Sequence, residues 1–332
     1  MTAVRERPRA GRPRAIPLAL ATTLALMGVA FTGGSARAAQ PAGGPPSVCR
    51  RVAVPAANGH PARTAEVCAP WRARDRWAGA SPPVETTVFR PDPAQPAVVA
   101  YAAWINSATT DLALYPGYEG PGPTALPRGP EMVPPSARAR LLAAFNAGFY
   151  EHDAAGGFYV NHTLYYPMID GLATVVRFSD GRVDVVRWTG GPHPPPDVVM
   201  ARQNLPLLVN AGRPTPLSAD NAAWGLTLGG VPAVWRSALG IDAHGNVIYA
   251  AAPAQTSATL AAVMVRLHCV RAMELDINPE WPIFVTYGGP GAASPLLAVD
   301  NPNQIPTRFL TVTTKDFFAV YVSRRPGEPE PW

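Results

Sequence analysis

Between Ala97 and Val322 the apolar residues recur in short runs rich in β-branched and aromatic side chains, broken by Gly, Pro, Asn and Asp, and only one stretch carries helical spacing. Runs of that length bury their apolar face only when several join a sheet, so the pattern confines the chain to a strand-dominated architecture. Strands are predicted over Ala97–Trp104, Asp111–Tyr115, Leu141–Asn146, Thr174–Phe178, Arg182–Trp188, Val247–Ala251, Ala272–Ile277, Ile283–Tyr287, Arg308–Thr313 and Phe317–Val322. Turn chemistry marks two hairpins, Ser179-Asp180-Gly181 between two alternating runs and His244-Gly245-Asn246 between Leu239-Gly240-Ile241 and Val247. The helical stretch is Ala258–His268, with Leu260, Val263, Met264 and Leu267 on one face and Thr256 or Ser257 placed to cap its first amides. A second, short helix is expected over Ser136–Leu142. The fold class is α+β, a mixed, mostly antiparallel sheet with few packed helices.

Arg5, Arg7, Arg9, Arg12 and Arg14 precede an apolar run from Ile16 to Phe31 and then Ala36-Arg37-Ala38, the layout of a signal peptide spanning 1–38. The run is shorter than the roughly 20 residues that cross a bilayer. Pro17, the Gly33-Gly34 pair and the lack of a basic flank also speak against an uncleaved anchor. Cleavage is expected after Ala38, with no stable membrane span afterwards and a secreted or cell-envelope location. Residues 39–96 are rich in Pro, Ala and Gly and read as an N-terminal extension; 97–323 reads as one domain and 324–332 as a tail. Cys49 and Cys68 lie close together in an oxidising compartment and are expected to form a disulfide, which leaves Cys269 as a buried apolar thiol.

The formal charge of +5 does not describe the exported chain. Six Arg against one Glu in residues 1–38 account for it and leave 22 basic and 22 acidic residues. With Lys315 as the one lysine and no basic stripe, nucleic acid is not an expected partner.

Four segments carry candidate chemistry. Glu274 and Asp276 stand two apart on a predicted strand, so they share a face at roughly 6.5–7 Å, near the lower edge of the carboxyl spacing of inverting glycosidases. Met273, Leu275 and Ile277 would face the core and aim the carboxylates at a cleft; paired acids at a strand end also arise as plain ion-pair partners. Asn146-Ala147-Gly148-Phe149-Tyr150 ends a strand with Asn, small residues and aromatics, suited either to a close backbone approach beside a sugar-stacking wall or to an ordinary tight turn. Arg236 opens a hairpin strand, where its guanidinium can fork onto phosphate oxygens, and Arg202-Gln203-Asn204 offers further donors. No Gly-x-Ser-x-Gly elbow supports a serine hydrolase.

Taken in order, these segments resemble the phosphodiester glycosidase family. The Asn146 segment resembles its Asn-Gly-Gly-Phe-Phe motif and Arg236-Ser237-Ala238-Leu239-Gly240-Ile241 its Arg-Thr-Ala-Ile-Gly strand. The helix plus Ala272–Asn278 resembles its Gly-Ala-x-x-Ala-Leu-Asn-Leu-Asp-Gly-Gly-Gly-Ser closing motif, with Asp276 on the family's aspartate. The likeness is strongest from Asn204 onward, where the chain is similar to secreted actinobacterial members. It implies a secreted hydrolase cleaving a sugar-1-phosphodiester bond in a glycan or cell-envelope substrate, with Asp276 as nucleophile or general base and Glu274 assisting. Asn146 would bind a sugar hydroxyl and Arg236 the phosphate, with Gly148, Asn278 and Arg202 also in contact with the substrate, Arg202 through its hydroxyls or its phosphate. No cofactor is required; an oxygen site of Glu274, Asp276 and a loop carbonyl would suit calcium. Where the family has glycines after the aspartate, this chain has Ile277-Asn278-Pro279-Glu280-Trp281, and β-branched Ile277 and Pro279 cannot copy a glycine loop. The competing reading is a non-catalytic carbohydrate-binding or cell-envelope protein on the same fold.

Overall fold

The computed structural model describes residues 43–54, 63–75, 81–121, 126–225 and 227–324, so the signal peptide and the tail beyond 324 lie outside the described residues. Every described ladder is antiparallel, as short runs joined by tight turns require. The largest sheet has eight strands in the order Arg213–Pro214, Leu207–Asn210, Arg271–Glu274, Val234–Ile241, Val247–Gln255, Ala100–Ile105, Val84–Phe89 and Arg72–Ala73. A five-stranded sheet runs Ser294–Leu297, Phe284–Gly288, Leu141–Asn146, Phe317–Val322 and Thr110–Tyr115. A second five-stranded sheet runs Val183–Arg187, Ala173–Phe178, Val198–Gln203, Phe158–Val160 and Thr163–Tyr166.

The inner faces of these three sheets share one core. Phe145, Tyr249, Phe284 and Phe318 meet at its centre with ring centroids 5.2–5.4 Å apart, joined by Leu239, Met273 and Leu275. The other face of the eight-stranded sheet is covered by the α-helix Ser257–Arg266, which opens with a capping box between Thr256 and Thr259. Leu260, Val263, Met264 and Leu267 are buried beneath it with Trp104, Ile248, Cys269 and Ala272, each large side chain contributing about 1.5–3 kcal/mol. Gly240 is required there: a Cβ would stand 2.7 Å from Cys269 Sγ and 2.8 Å from the Arg271 carbonyl.

The α+β, mostly antiparallel fold with few helices is as expected, and three local expectations are corrected. Val84–Phe89 pairs along its whole length with Ala100–Ile105, so the main sheet begins well before residue 97. Arg308–Thr313 is no strand, because Arg308–Leu310 coils into a 3-10 turn that buries Phe309. The short helix near 136 is likewise 3-10, over Pro135–Arg140. Cys49 and Cys68 face each other across the hairpin Val48–Val54/Arg63–Ala69 and are bonded, and Arg266 Nη2 donates to the Cys49 carbonyl at 3.0 Å.

Candidate active site

The Arg271–Glu274 strand lies between Leu207–Asn210 and Val234–Ile241, and its alternation decides what each side chain meets. Met273 and Leu275 enter the core, whereas Glu274, opposite Ala238, turns to the other face. The chain then leaves the ladder but stays clamped to the next strand. Leu275 N donates to the Ser237 carbonyl at 2.8 Å and Ser237 N to the Asp276 carbonyl at 2.8 Å. Asn204 Nδ2 donates to the carbonyls of Glu274 and Leu275 at 2.7 and 3.0 Å.

Glu274 and Arg236 form a fully buried pair, Nη1 to Oε2 at 2.7 Å. Arg236 further donates to the Gln255 carbonyl at 2.9 Å, the Trp224 carbonyl at 3.3 Å and Asn221 Oδ1 at 3.0 Å. Among the described residues Glu274 Oε1 is buried with no hydrogen-bond partner, and burial pushes the carboxyl up to about 7, with the Asp276 charge adding to the rise and Arg236 opposing it. The guanidinium predicted to meet phosphate is therefore engaged by protein groups on every nitrogen. The carboxylates predicted to face a cleft are both buried.

Asp276 Oδ2 accepts a hydrogen bond from Lys315 Nζ, and Oδ1 accepts from the Asn278 amide at 2.9 Å. Burial pushes the Asp276 carboxyl up, against the pull of Lys315 and of the Asn278 and Ile277 amides. Lys315 is the only lysine of the chain and is 5% exposed. Its Nζ lies 4.6 Å from the ring centroid of Tyr150 and 5.0 Å from that of Trp281, two partly exposed aromatics set edge to face at 5.9 Å. Asp316, the next residue, takes Arg202 Nε at 2.7 Å. Arg202 also donates to the Gln203 and Phe149 carbonyls, so its nitrogens, like those of Arg236, are all taken up inside the protein. Gly148 makes room for this: a Cβ would sit 3.1 Å from Arg202 Nη2 and 3.3 Å from Asn204 Cγ.

Asn146 joins the two halves. Its Nδ2 donates to Ser237 Oγ and to the Ala147 carbonyl, both at 3.0 Å, while Oδ1 accepts from Tyr249 OH at 2.9 Å and from Ile283 N at 3.1 Å. Ser237 Oγ in turn accepts from Asp276 N at 3.2 Å. All of the side chain's hydrogen-bonding positions are thus used inside the protein, not offered to a sugar hydroxyl. Asn278 is half-buried, its Oδ1 accepting from Glu280 N at 3.0 Å. The loop it begins is tied down from outside by Asn301 on the Pro279 and Pro282 carbonyls at 2.9 and 3.0 Å, and by Gln304 on the Glu280 carbonyl at 2.6 Å. A cavity of about 330 Å³ beside the helix, lined by Val98, Thr259, Val263 and Arg266, meets this network at Gln255.

The structure thus brings Asn146, Arg202, Arg236, Glu274, Asp276 and Asn278 into one buried network, with Gly148 packed against Arg202. Sequence reasoning missed Lys315 and Asp316, although a lone lysine in an arginine-rich chain was a signal. As to calcium, Glu274 and Asp276 each already hold a cationic side chain. Among the described residues no three His, Cys, Asp or Glu side chains gather as a metal site, so these residues do not fit the ion. What the arrangement can do is hold two carboxylates of raised basicity, one beside an ammonium that packs against two partly exposed aromatic rings.

The comparisons follow this geometry. The phosphodiester glycosidase family model matches residues 139–276. No curated protein sequence matches the chain. Among solved structures, the catalytic domain of zebrafish N-acetylglucosamine-1-phosphodiester alpha-N-acetylglucosaminidase, auto-inhibited by its pro-peptide, is similar at TM-score 0.50 and 14% identity, covering 78% of this chain and 89% of that one. A hypothetical protein from Synechocystis gives TM-score 0.42 and 13% identity over 83% of this chain and 68% of its own. Residues 139–276, which include Asn146, Arg202, Arg236, Glu274 and Asp276 but not Asn278, Lys315 or Asp316, match the phosphodiester glycosidase family model, and the fold is similar to that of the zebrafish domain.

Proposed function

We propose that this chain is an exported hydrolase that cleaves the bond between an anomeric carbon and a phosphodiester oxygen in a glycan or cell-envelope substrate. The observation that carries the reading is that Asp276, within the segment the family model matches, holds Lys315 against the partly exposed Tyr150 and Trp281 rings. Aromatic faces suit the apolar face of a sugar ring. In the reaction, water adds to the anomeric carbon and the carbon–oxygen bond breaks with its electron pair going to the phosphate. The water's proton passes to a carboxylate, and Asp276 is the one joined to the Tyr150 and Trp281 rings through Lys315. A phosphate leaves as a stable anion and needs little help from an acid, so the demand falls on activating water and holding the leaving charge. Arg236 and Asn146 act as positioning residues, the first through Glu274 and the second through Ser237. The disulfide Cys49–Cys68 supports an oxidising location outside the cytoplasm, and the leading segment supports export.

The test is release of sugar from a panel of sugar-1-phosphodiesters, including nucleotide sugars and teichoic-type polymers, by purified residues 39–332. Turnover lost in a folded Asp276→Asn protein supports the enzyme. The second reading, a carbohydrate-binding protein without turnover, is favoured by the burial of both carboxylates and by Ile277–Trp281 in place of the glycines. Saturable glycan binding with no turnover of any diester would select it.

A further inference from the structure

We propose that Lys315 is the residue that receives the phosphoryl oxygens of the substrate, the part expected of Arg236. The inference rests on the phosphodiester reading above and names the anion-binding group of that same site. Three cations enter the network, and their hydrogen bonds separate them. Arg236 is fully buried and donates to Glu274, two carbonyls and Asn221. Arg202 is held by Asp316 and two carbonyls. Lys315 has three N–H groups, and among the described residues only Asp276 takes one of them. Its other directions open toward the Tyr150 and Trp281 rings, which line the network's partly exposed edge.

The backbone offers no alternative. The Ile277 and Asn278 amides both serve the Asp276 carboxylate, Glu280 N serves Asn278 Oδ1, Trp281 N serves the Asn278 carbonyl, and residue 279 is proline. The loop after Asp276 thus has no free amides to make an anion nest, and an incoming phosphate must be met by a side chain. Arg308 stands at the rim with its Cζ 4.7 Å from the Trp281 ring centroid, a second cation bonded to Gln304 and no carboxylate. Glu119, near Tyr150 OH, Glu280 and Asp316 are acidic groups that act on this edge. Lys315 therefore has two tasks: it balances Asp276 in the resting protein, and it moves part of its hydrogen bonding to the phosphate on binding, which frees Asp276 as a base.

The lone lysine makes the test direct. Full-length protein labelled with ¹³C,¹⁵N-lysine gives one side-chain Cε–Nζ resonance, which is titrated with glucose 1-phosphate, inorganic phosphate and free glucose. The expected result is a saturable shift with the sugar phosphate and none with glucose at equal concentration. Asp276→Asn, which frees the ammonium from its partner, should bind glucose 1-phosphate about tenfold more tightly by calorimetry. The pair Lys315→Met with Asp276→Asn, which leaves no unpaired buried charge, should fold and lose that binding at least about tenfold. A lysine resonance unmoved by the sugar phosphate, or an Asp276→Asn protein that binds it no better, overturns the inference. Diester turnover is scored separately: turnover with a silent lysine leaves the enzyme reading standing, whereas a responsive lysine without turnover keeps the anion site and removes the enzyme.

Discussion

Replacing Arg236 by methionine removes the guanidinium while keeping much of its packing, and the response should depend on pH in a way the Glu274 environment dictates. In the wild-type protein Glu274 has a folded pKa of about 7 against an ordinary 4.5. The folded state therefore binds more protons between those values. The stability this contributes is fully present below about pH 4.5 and is lost as pH rises through about 7, a loss of about 3 kcal/mol. Without Arg236 the folded pKa rises further, since only burial and Asp276 remain to act on the carboxyl. Below pH 7 Glu274 is mainly protonated in both proteins, and Arg236→Met loses mainly its hydrogen bonds to Gln255, Trp224 and Asn221, about 2 kcal/mol. Above pH 7 the wild-type carboxylate ionises against its partner and the variant cannot, so the penalty should grow by about 1.4 kcal/mol per pH unit and approach about 5 kcal/mol at pH 9. Urea unfolding followed by circular dichroism and tryptophan fluorescence at pH 6, 7, 8 and 9 measures this, with coincident transitions as the two-state check. Adding Glu274→Gln should flatten the pH dependence. A penalty constant from pH 6 to 9, or unchanged by Glu274→Gln, would refute the reasoning.

Other expectations are local. Gly240→Ala places a methyl against Cys269 Sγ and the Arg271 carbonyl and should cost about 1–3 kcal/mol; Cys269→Ala should restore only part of it, because the carbonyl stays, as thermal unfolding of both proteins would reveal. The Cys269 thiol is buried and pushed well up by burial, so it should resist a thiol reagent in the native protein and react once in denaturant; fast native reaction would contradict the packing beneath the helix. Thr256→Ala removes the arm of the capping box that accepts from Thr259 N, leaving Thr256 N on Thr259 Oγ1, and should lower stability by about 1 kcal/mol, with Thr256→Ser close to neutral; thermal unfolding of the two variants measures this.

The strands read from sequence were those whose own residues specify them. Leu141–Asn146 and Phe317–Val322 are found at their predicted bounds, because both are dense in apolar residues and end in turn-forming or charged neighbours. Val84–Phe89 was hidden in a proline-rich stretch whose composition resembles a linker, although Val84, Thr87 and Phe89 are buried. Arg308–Thr313 misled because its apolar residues do not share one face: Phe309 is buried by the 3-10 turn while Val312 is exposed. The site was legible as a set of residues and illegible as a set of partnerships. Which cation meets Glu274 depends on the register that sets Ala238 opposite it, and which meets Asp276 depends on a loop 39 residues away in another sheet. A single lysine carries no periodicity, and only its rarity pointed to it.

The dipeptide Lys315-Asp316 answers two charges of opposite sign on different elements, Asp276 and Arg202. Synthesis proceeds from the N-terminus, so a growing chain carries Asn146, Arg202, Arg236, Glu274 and Asp276 for some time before either counter-charge exists. Arg236 and Glu274 can neutralise each other in that interval; Asp276 and Arg202 must stay hydrated. Completion of the network is thereby tied to arrival of the segment that leads into the Phe317–Val322 strand, and a nascent chain lacking it has neither ion pair.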